Sequence, residues 1–252
     1  MITVSILGSG NVATHLYRAF AESTEVQLVQ IYGRNPTNLL AFKDKVSTCS
    51  RLEDLKKVDI FILAVKDDAV EEIIQKLKHR DAIIAHTSGS IPLSQSAKKN
   101  GVFYPLQTFS KDTPVDFKHI PLCLEASDKE IYTLLEKLAL SISPKVFSIS
   151  SEQRKSLHLS AVFVCNFVNH LYHIGESLCE KNEVPFEILH ALILETARKA
   201  SLHSPKAVQT GPAVRNDQKS IATHLERLTD EKYKEIYTLL TQSIQATYGT
   251  KL

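Results

Sequence analysis

Strong charge, membrane spans and metal-ligand spacings are all missing from this sequence. With 30 Lys and Arg against 28 Asp and Glu, the net charge is +2, which gives no electrostatic reason to expect nucleic acid as a partner. No run approaches the ~20 apolar residues of a membrane helix, so no membrane partner is expected. The chain enters a strand pattern at once, so no secretory signal is expected. Cys49, Cys123, Cys165 and Cys179 lack C-x-x-C or any metal-like spacing; they read as reduced, mostly buried thiols of a cytoplasmic protein with no bound metal. Repeats, low-complexity tracts and long linkers are absent too. What is present is 252 residues, 43% of them hydrophobic, enough for one large or two modest domains with real cores.

The informative stretch is the first 35 residues. An apolar run, Val4-Ser5-Ile6-Leu7, leads into Gly8-Ser9-Gly10-Asn11-Val12-Ala13 and a helical pattern, and a second apolar run, Val26 to Tyr32, ends at Gly33-Arg34-Asn35. Strand, glycine turn, helix and strand in that order form a dinucleotide-binding fingerprint. Gly8 suits the tight turn, Gly10 suits close approach of a pyrophosphate, and Ala13 suits close packing of helix on strand. The helix N-terminus offers free N–H groups and partial positive charge to phosphates.

An acidic residue is missing where the second strand ends. That residue type accepts hydrogen bonds from the 2′-OH of NAD. Arg34 and Asn35 stand there instead, and a guanidinium suits a 2′-phosphate, with Asn35 or Thr37 adding donors. The expected cofactor is therefore NADP rather than NAD.

Further along, Asp59 to Val65 is a near-continuous apolar run, as in a parallel strand covered on both faces. Val65 and Lys66 end it on the cofactor side. Asp67 and Asp68 then read as an N-cap with favourable first-turn charge, and Ser50 as the cap of a short helix. The run Ala82 to His86 predicts a strand whose end, His86-Thr87-Ser88-Gly89, falls where nicotinamide and substrate would meet. Thr87 and Ser88 suit a carboxamide or a substrate oxygen, while His86 is either a proton donor or a satisfied strand-end histidine. Tyr104, Gln107 and Thr108 read as pocket lining. Strands at Pro121–Ala126 and Lys145–Ile149 close a first domain near residue 150.

From Ser151 the pattern turns helical. One long helix is expected to reach about Lys181, apolar nearly all round between Leu157 and His170, as in a helix buried on most sides and covered by a second subunit. His158, Asn166 and Asn169 are its polar positions. At about 100° per residue His158 and Asn169 lie within about 20° of one face, with Asn166 about 80° away, so they would line one cleft. Further helices are expected over about Pro185–Ser201, Gln218–Leu228 and Thr229–Tyr248. Arg215 and Asp217 either pair with each other or leave Arg215 to fix a substrate carboxylate, and His224 follows seven residues after Asp217.

Residues 4–65 resemble the N-terminal domain of the pyrroline-5-carboxylate reductase, 6-phosphogluconate dehydrogenase and deazaflavin-dependent NADP reductase superfamily. With His86 to Ser90, Tyr104 to Phe109, His158 to Asn166, and Thr210-Gly211-Pro212 followed by Arg215, Asp217 and His224, nearly the whole chain is similar to one bacterial family. Its members join that domain to a helical C-terminal domain of unknown function. The resemblance implies an α/β Rossmann domain with a doubly wound, mostly parallel sheet over residues 1–150. It implies an all-helical substrate and dimerisation domain over 151–252, and an NADP-dependent oxidoreductase that forms a homodimer. Hydroxyacid dehydrogenases of the superfamily carry a catalytic Lys four residues before an Asn on the first helix of the second domain. Here Val162 stands four before Asn166, so that mechanism does not transfer.

Together these readings give hydride transfer between NADPH and a small carbonyl or imine substrate. His158 is the expected proton donor, because an imidazole protonates an alkoxide or amine near neutral pH, and the substrate is expected to lie between the domains, facing His158 and Asn166. The rival reading is a non-catalytic NADP(H)-binding redox sensor or partner protein, which the missing lysine favours.

Overall fold

A computed structural model describes residues 1–248, and the chain divides into two compact units, Met1–Cys165 and Asn166–Leu252.

The first unit is built on an eight-stranded sheet: β1 (Ile2–Leu7), β2 (Val26–Tyr32), β3 (Ser47–Cys49), β4 (Ile60–Leu63), β5 (Ile83–His86), β6 (Asn100–Pro105), β7 (Leu122–Ala126) and β8 (Val146–Ser148). Their order is β3-β2-β1-β4-β5-β6-β7-β8, and every pairing is parallel except β6 with β7. The Rossmann-like, mostly parallel sheet expected from the sequence is therefore present. β3 is an addition, too short at three residues to show an apolar period.

Side chains of successive strand residues point to opposite faces, and both faces are buried. Ile60 and Ile62 of β4 join one core with Val4 and Ile6 of β1, while Phe61 and Leu63 join the other with Leu7. Helices supply the matching apolar stripes. On α1 (Asn11–Glu22), Ala13, Leu16 and Phe20 are buried, and after the short α2 (Pro36–Leu39), α3 (Asp67–Leu77) buries Val70, Ile73, Ile74 and Leu77. That is the i, i+3, i+4, i+7 spacing of one helix face.

Two caps differ from expectation. Lys66, not an aspartate, is the N-cap of α3, which leaves Asp67 and Asp68 in the first turn, and Arg51 rather than Ser50 precedes the short 3-10 turn at Leu52–Asp54. Asp128 caps α4 (Lys129–Leu140), and Ser150 and Gln153 form a capping box at α5 (Ser151–Ala161). These local signals specify where each helix begins.

The helix from Ser151 does not run as one regular rod. A π-helical turn, Val162–Phe167, separates α5 from α6 (Val168–Lys181). Phase counted at 3.6 residues per turn does not carry across a π turn, so the expected alignment of His158 with Asn169 on one face does not hold. The expected burial is not met within the chain either, since Leu159, Phe163, Val164 and Phe167 are all more than half exposed.

The second unit contains α6, α7 (His190–Leu202), α8 (Pro205–Val208), α9 (Gln218–Arg227) and α10 (Glu231–Tyr248). Its described residues bury few side chains, namely Ile174, Ala213, Ile221 and Leu228, while Ile188, Leu192, Leu194 and Leu239 stay exposed. Among the described residues no helix is long and apolar enough to cross a membrane, and no group of His, Cys, Asp and Glu is placed to hold a metal ion.

Candidate functional site

The strand order turns at β1, whose neighbours are β2 and β4, and ligands of open α/β sheets bind outside the carboxyl ends of strands at such a point. A cavity of about 790 Å³ lies there within the first unit, lined at one end by Gly8 to Val12 and Arg34, and at the other by Thr87 to Ser90, Tyr104 and His158.

The glycine turn fits a phosphate. Gly8 has φ +136°, and a Cβ there would lie 2.0 Å from the Ala64 carbonyl oxygen, so no other residue fits. Gly10 is the N-cap of α1 and no side chain caps the helix, which leaves first-turn N–H groups available at the cavity. A Cβ on Gly10 would meet nothing within 4 Å. Gly10 thus has no need of glycine from its own fold, and the open space beside it suits a ligand approaching the backbone. Ala13 is fully buried against the sheet, a packing position rather than a lining one.

Arg34 and Asn35 line the cavity beyond the end of β2, together with Asn38 of α2 and Lys76 of α3. Asn35 Oδ1 is committed to the N–H of Thr37, 2.9 Å away, as the cap of α2. Arg34 is exposed. Lys76 donates to Glu72 at 2.6 Å, both well exposed, so the pair is loosely held. The sequence marks Lys76 only through its place on α3, the helix that leaves the end of β4. Val65 and Lys66 line the middle of the cavity.

At the opposite end the loop after β5 is tightly bonded. Thr87 Oγ1 donates to the Leu63 carbonyl at 3.2 Å, Ser88 Oγ accepts from the N–H groups of Ser90 and Ile91 at 3.1 Å each, and Ser90 Oγ donates to Asp67. Of the two readings of His86, the structure fits the satisfied strand-end histidine and not the proton donor or substrate contact. It is fully buried and does not line the cavity; its Nε2 meets the Pro92 carbonyl at 3.2 Å and its Nδ1 accepts from Ser88 N–H at 3.2 Å. Burial, with the nearby Arg154 guanidinium, pushes its pKa down to about 4, so the ring is neutral with both nitrogens used. Thr108 is likewise corrected from pocket lining. Its N–H and hydroxyl turn to Gln107 Oε1, and Gln107 and Phe109 line the cavity instead.

His158 reaches the cavity from α5. Its Nδ1 lies 3.2 Å from the Tyr104 hydroxyl, with the rings edge to face at 6.3 Å. Gly89 lies directly against the pair: a Cβ there would come within 2.7 Å of His158 Nδ1 and 2.9 Å of Tyr104 Oη. Burial pushes the Tyr104 phenol up to about 12, so its proton stays on at neutral pH.

Beneath them the fully buried Arg154, one helical turn before His158, pairs with Glu125 of β7 and donates to the Ile91 carbonyl at 2.5 Å. Ser151 adds a bond to Glu125 at 2.8 Å and accepts the Leu93 N–H at 2.9 Å. α5 is thereby fastened to both β7 and the loop after β5.

The remaining expected site residues lie in the second unit. Asn166 is exposed on the π-helical turn. Asp217 caps α9, accepting from Ser220 N–H at 3.0 Å and Ser220 Oγ at 2.7 Å, and these bonds hold its carboxyl below the usual range, with Arg215 a lesser influence. His224 Nδ1 lies 2.8 Å from the Tyr237 hydroxyl.

Residues 3–88 match the family model described as NADP oxidoreductase, coenzyme F420-dependent, and residues 120–244 match a domain of unknown function, DUF2520. A candidate NADP oxidoreductase from Bacteroides fragilis, BF3122, is 39% identical over 97% of this chain and 98% of its own, with a TM-score of 0.89. The chain belongs to that NADP oxidoreductase family. Its fold is shared with an imine reductase from Pseudomonas sp. (15% identity, 97% of this chain and 94% of that one, TM-score 0.69). It is shared also with the 1-pyrroline-5-carboxylate reductase of Streptococcus pyogenes (17% identity, 98% of each chain, TM-score 0.62). No curated protein matches. In this family member the oxidoreductase model covers β1 to β5, the glycine turn and Arg34, whereas Tyr104 lies outside both matched segments and His158 lies within DUF2520.

Proposed function

We propose that this protein transfers a hydride between NADPH and a small carbonyl or imine compound, with His158 as the proton donor. One observation carries the reading: a single cavity runs from an uncapped helix N-terminus to an imidazole hydrogen-bonded to a phenol. The N–H groups at Gly10 to Val12 suit the pyrophosphate, and Arg34, with Lys76 near it, suits the 2′-phosphate. Val65 and Lys66 flank the ribose, and Thr87 and Ser88 bind the carboxamide. Bound there, a reduced nicotinamide supplies the hydride. His158 gives a proton to the alkoxide or amine that forms, and its exposure lets it recover one from solvent. The imine reductase and pyrroline-5-carboxylate reductase folds named above favour a C=N or C=O substrate.

The test is NADPH oxidation against a panel of cyclic imines and 2-oxo acids, with NADP reduction by hydroxyacids as the reverse arm. Turnover that falls in His158→Ala supports the reading. Tight NADPH binding with no turnover on any of them supports the sensor instead.

The thin core of the second unit, beside exposed Leu192, Leu194 and Leu239 and the exposed Leu159 and Val164 of the first, further supports a homodimer that covers these apolar faces, since monomeric proteins rarely leave large ones bare. Sedimentation showing only monomer at micromolar concentration refutes it.

A further inference from the structure

We infer that Tyr104 is a positioning residue for His158, its hydroxyl holding Nδ1 so that Nε2 is the nitrogen that passes the proton. The inference deepens the reading of His158 as proton donor and rests on it. His158 is exposed, and nothing else among the described residues is hydrogen-bonded to its ring. An untied imidazole on a helix surface samples several rotamers and presents either nitrogen. Tyr104 stands on β6, paired on both sides within the sheet, with its hydroxyl 3.2 Å from Nδ1. A phenol hydroxyl both donates and accepts. It accepts from Nδ1–H of the imidazolium and of the neutral ring left when Nε2 gives up its proton, and it donates to Nδ1 of the other neutral tautomer, so the tie persists through a proton-transfer cycle.

Two other features of the chain support the pair. Gly89 leaves the room that a side chain would take from both rings, since any Cβ there falls within 3 Å of each. Arg154 fixes the backbone turn that precedes His158 by bonding Glu125 and the Ile91 carbonyl. Burial keeps the Tyr104 phenol proton on at neutral pH. In the proposed step the Nε2–H bond of the imidazolium breaks and its proton goes to the carbonyl oxygen or imine nitrogen of a substrate whose carbon would take the hydride that a bound reduced nicotinamide would supply. The ring leaves the step neutral, with Nδ1–H bonded to the Tyr104 oxygen.

The experiment compares Tyr104→Phe, His158→Ala and the double variant in the full chain. The first readout is the ¹⁵N signal of His158 Nδ1 at a pH where the ring is neutral. Wild type is expected to show a hydrogen-bonded Nδ1, and Tyr104→Phe a signal moved to that of an unbonded acceptor. An unmoved signal overturns the inference. The second readout is kcat against KM for reduction by NADPH. Tyr104→Phe is expected to lower kcat about tenfold, the rate equivalent of one hydrogen bond, with NADPH affinity unchanged. In the His158→Ala background it is expected to cost nothing further, because it acts through the missing ring. An equal further loss there overturns the inference. Full turnover in His158→Ala alone overturns the underlying reading instead, and the Nδ1 signal separates the two failures. Gly89→Ala, which keeps both side chains but forces them apart, is expected to reproduce the Tyr104→Phe signal.

Discussion

The glycine turn offers a test in which stability and binding separate. Gly10→Ala places a methyl group where nothing lies within 4 Å, on a residue with φ −87° and ψ −166°, an extended conformation open to any amino acid. Alanine is a poorer N-cap than glycine by about 0.5–1 kcal/mol, but it also restricts the unfolded chain, which returns about 0.4–1 kcal/mol. The stability change is therefore expected within about 0.5 kcal/mol of zero. Binding is expected to suffer, because the methyl occupies the space through which a pyrophosphate reaches the N–H groups of α1. Losing one hydrogen bond to a charged group costs about 1.5–3 kcal/mol, or roughly 10- to 150-fold in Kd. Gly8→Ala is the contrast. At φ +136°, with its Cβ 2.0 Å from the Ala64 carbonyl oxygen, it combines backbone strain with overpacking and is expected to lose about 3 kcal/mol or more of stability. Thermal unfolding without ligand gives the first quantity and titration of NADPH fluorescence the second. Gly10→Ala with wild-type Kd for NADPH refutes the reasoning, since the open space at Gly10 would then serve no phosphate.

Arg34→Ala is expected to weaken NADPH by about tenfold or more and leave NADH nearly unchanged, as for loss of one exposed phosphate contact; equal losses for both place Arg34 away from the 2′-phosphate. His86 gives a pH signature. Its folded pKa, about 4, lies below the unfolded value of about 6.5, so the unfolded state binds the extra proton between those values. Stability is therefore full above pH 6.5 and falls as pH drops toward 4, by about 3 kcal/mol. Urea unfolding across that range shows the slope, and His86→Asn is expected to flatten it. Glu125→Gln leaves the fully buried Arg154 without its anion and is expected to cost about 3–5 kcal/mol by chemical denaturation, whereas Arg154→Met costs less because no buried cation remains.

The parts of the fold that were legible are those specified by nearby residues. β1, α1 and β2 follow from two apolar runs and one glycine turn, and the matching surfaces of α3 follow from its apolar spacing. Distant partners decide the rest. The sequence leaves His86 open between proton donor and satisfied histidine, because a strand end is where ligands sit; the Pro92 carbonyl and the turn of Ser88 back onto its ring make it structural. The π-helical turn at Val162–Phe167 has no sequence period of its own, so a regular helix extrapolated through it put Asn169 on the face of His158. Thr108 was taken for lining because it is polar and loop-borne, and only the position of Gln107 turns it aside.

The two ends of the cavity differ in this respect for a physical reason. The phosphate end is made of backbone N–H groups, and backbone geometry is written locally in glycines and helix starts. The proton-bearing end is made of side chains held by charges far apart in the chain. Arg154 lies among Glu152, Lys155 and other polar residues and reads as one more solvated charge. It is fully buried because Glu125, 29 residues earlier, and the Ile91 carbonyl, 63 residues earlier, close around it. Burying such a charge is costly, so its partners must be in place before α5 can dock. A helix fastened in that way keeps His158 beside Tyr104, 54 residues apart in the chain, where no local backbone signal brings them together. It follows that substitutions at Glu125 or Arg154 alter the proton-bearing end while leaving the glycine turn intact, and that the two ends can be varied separately.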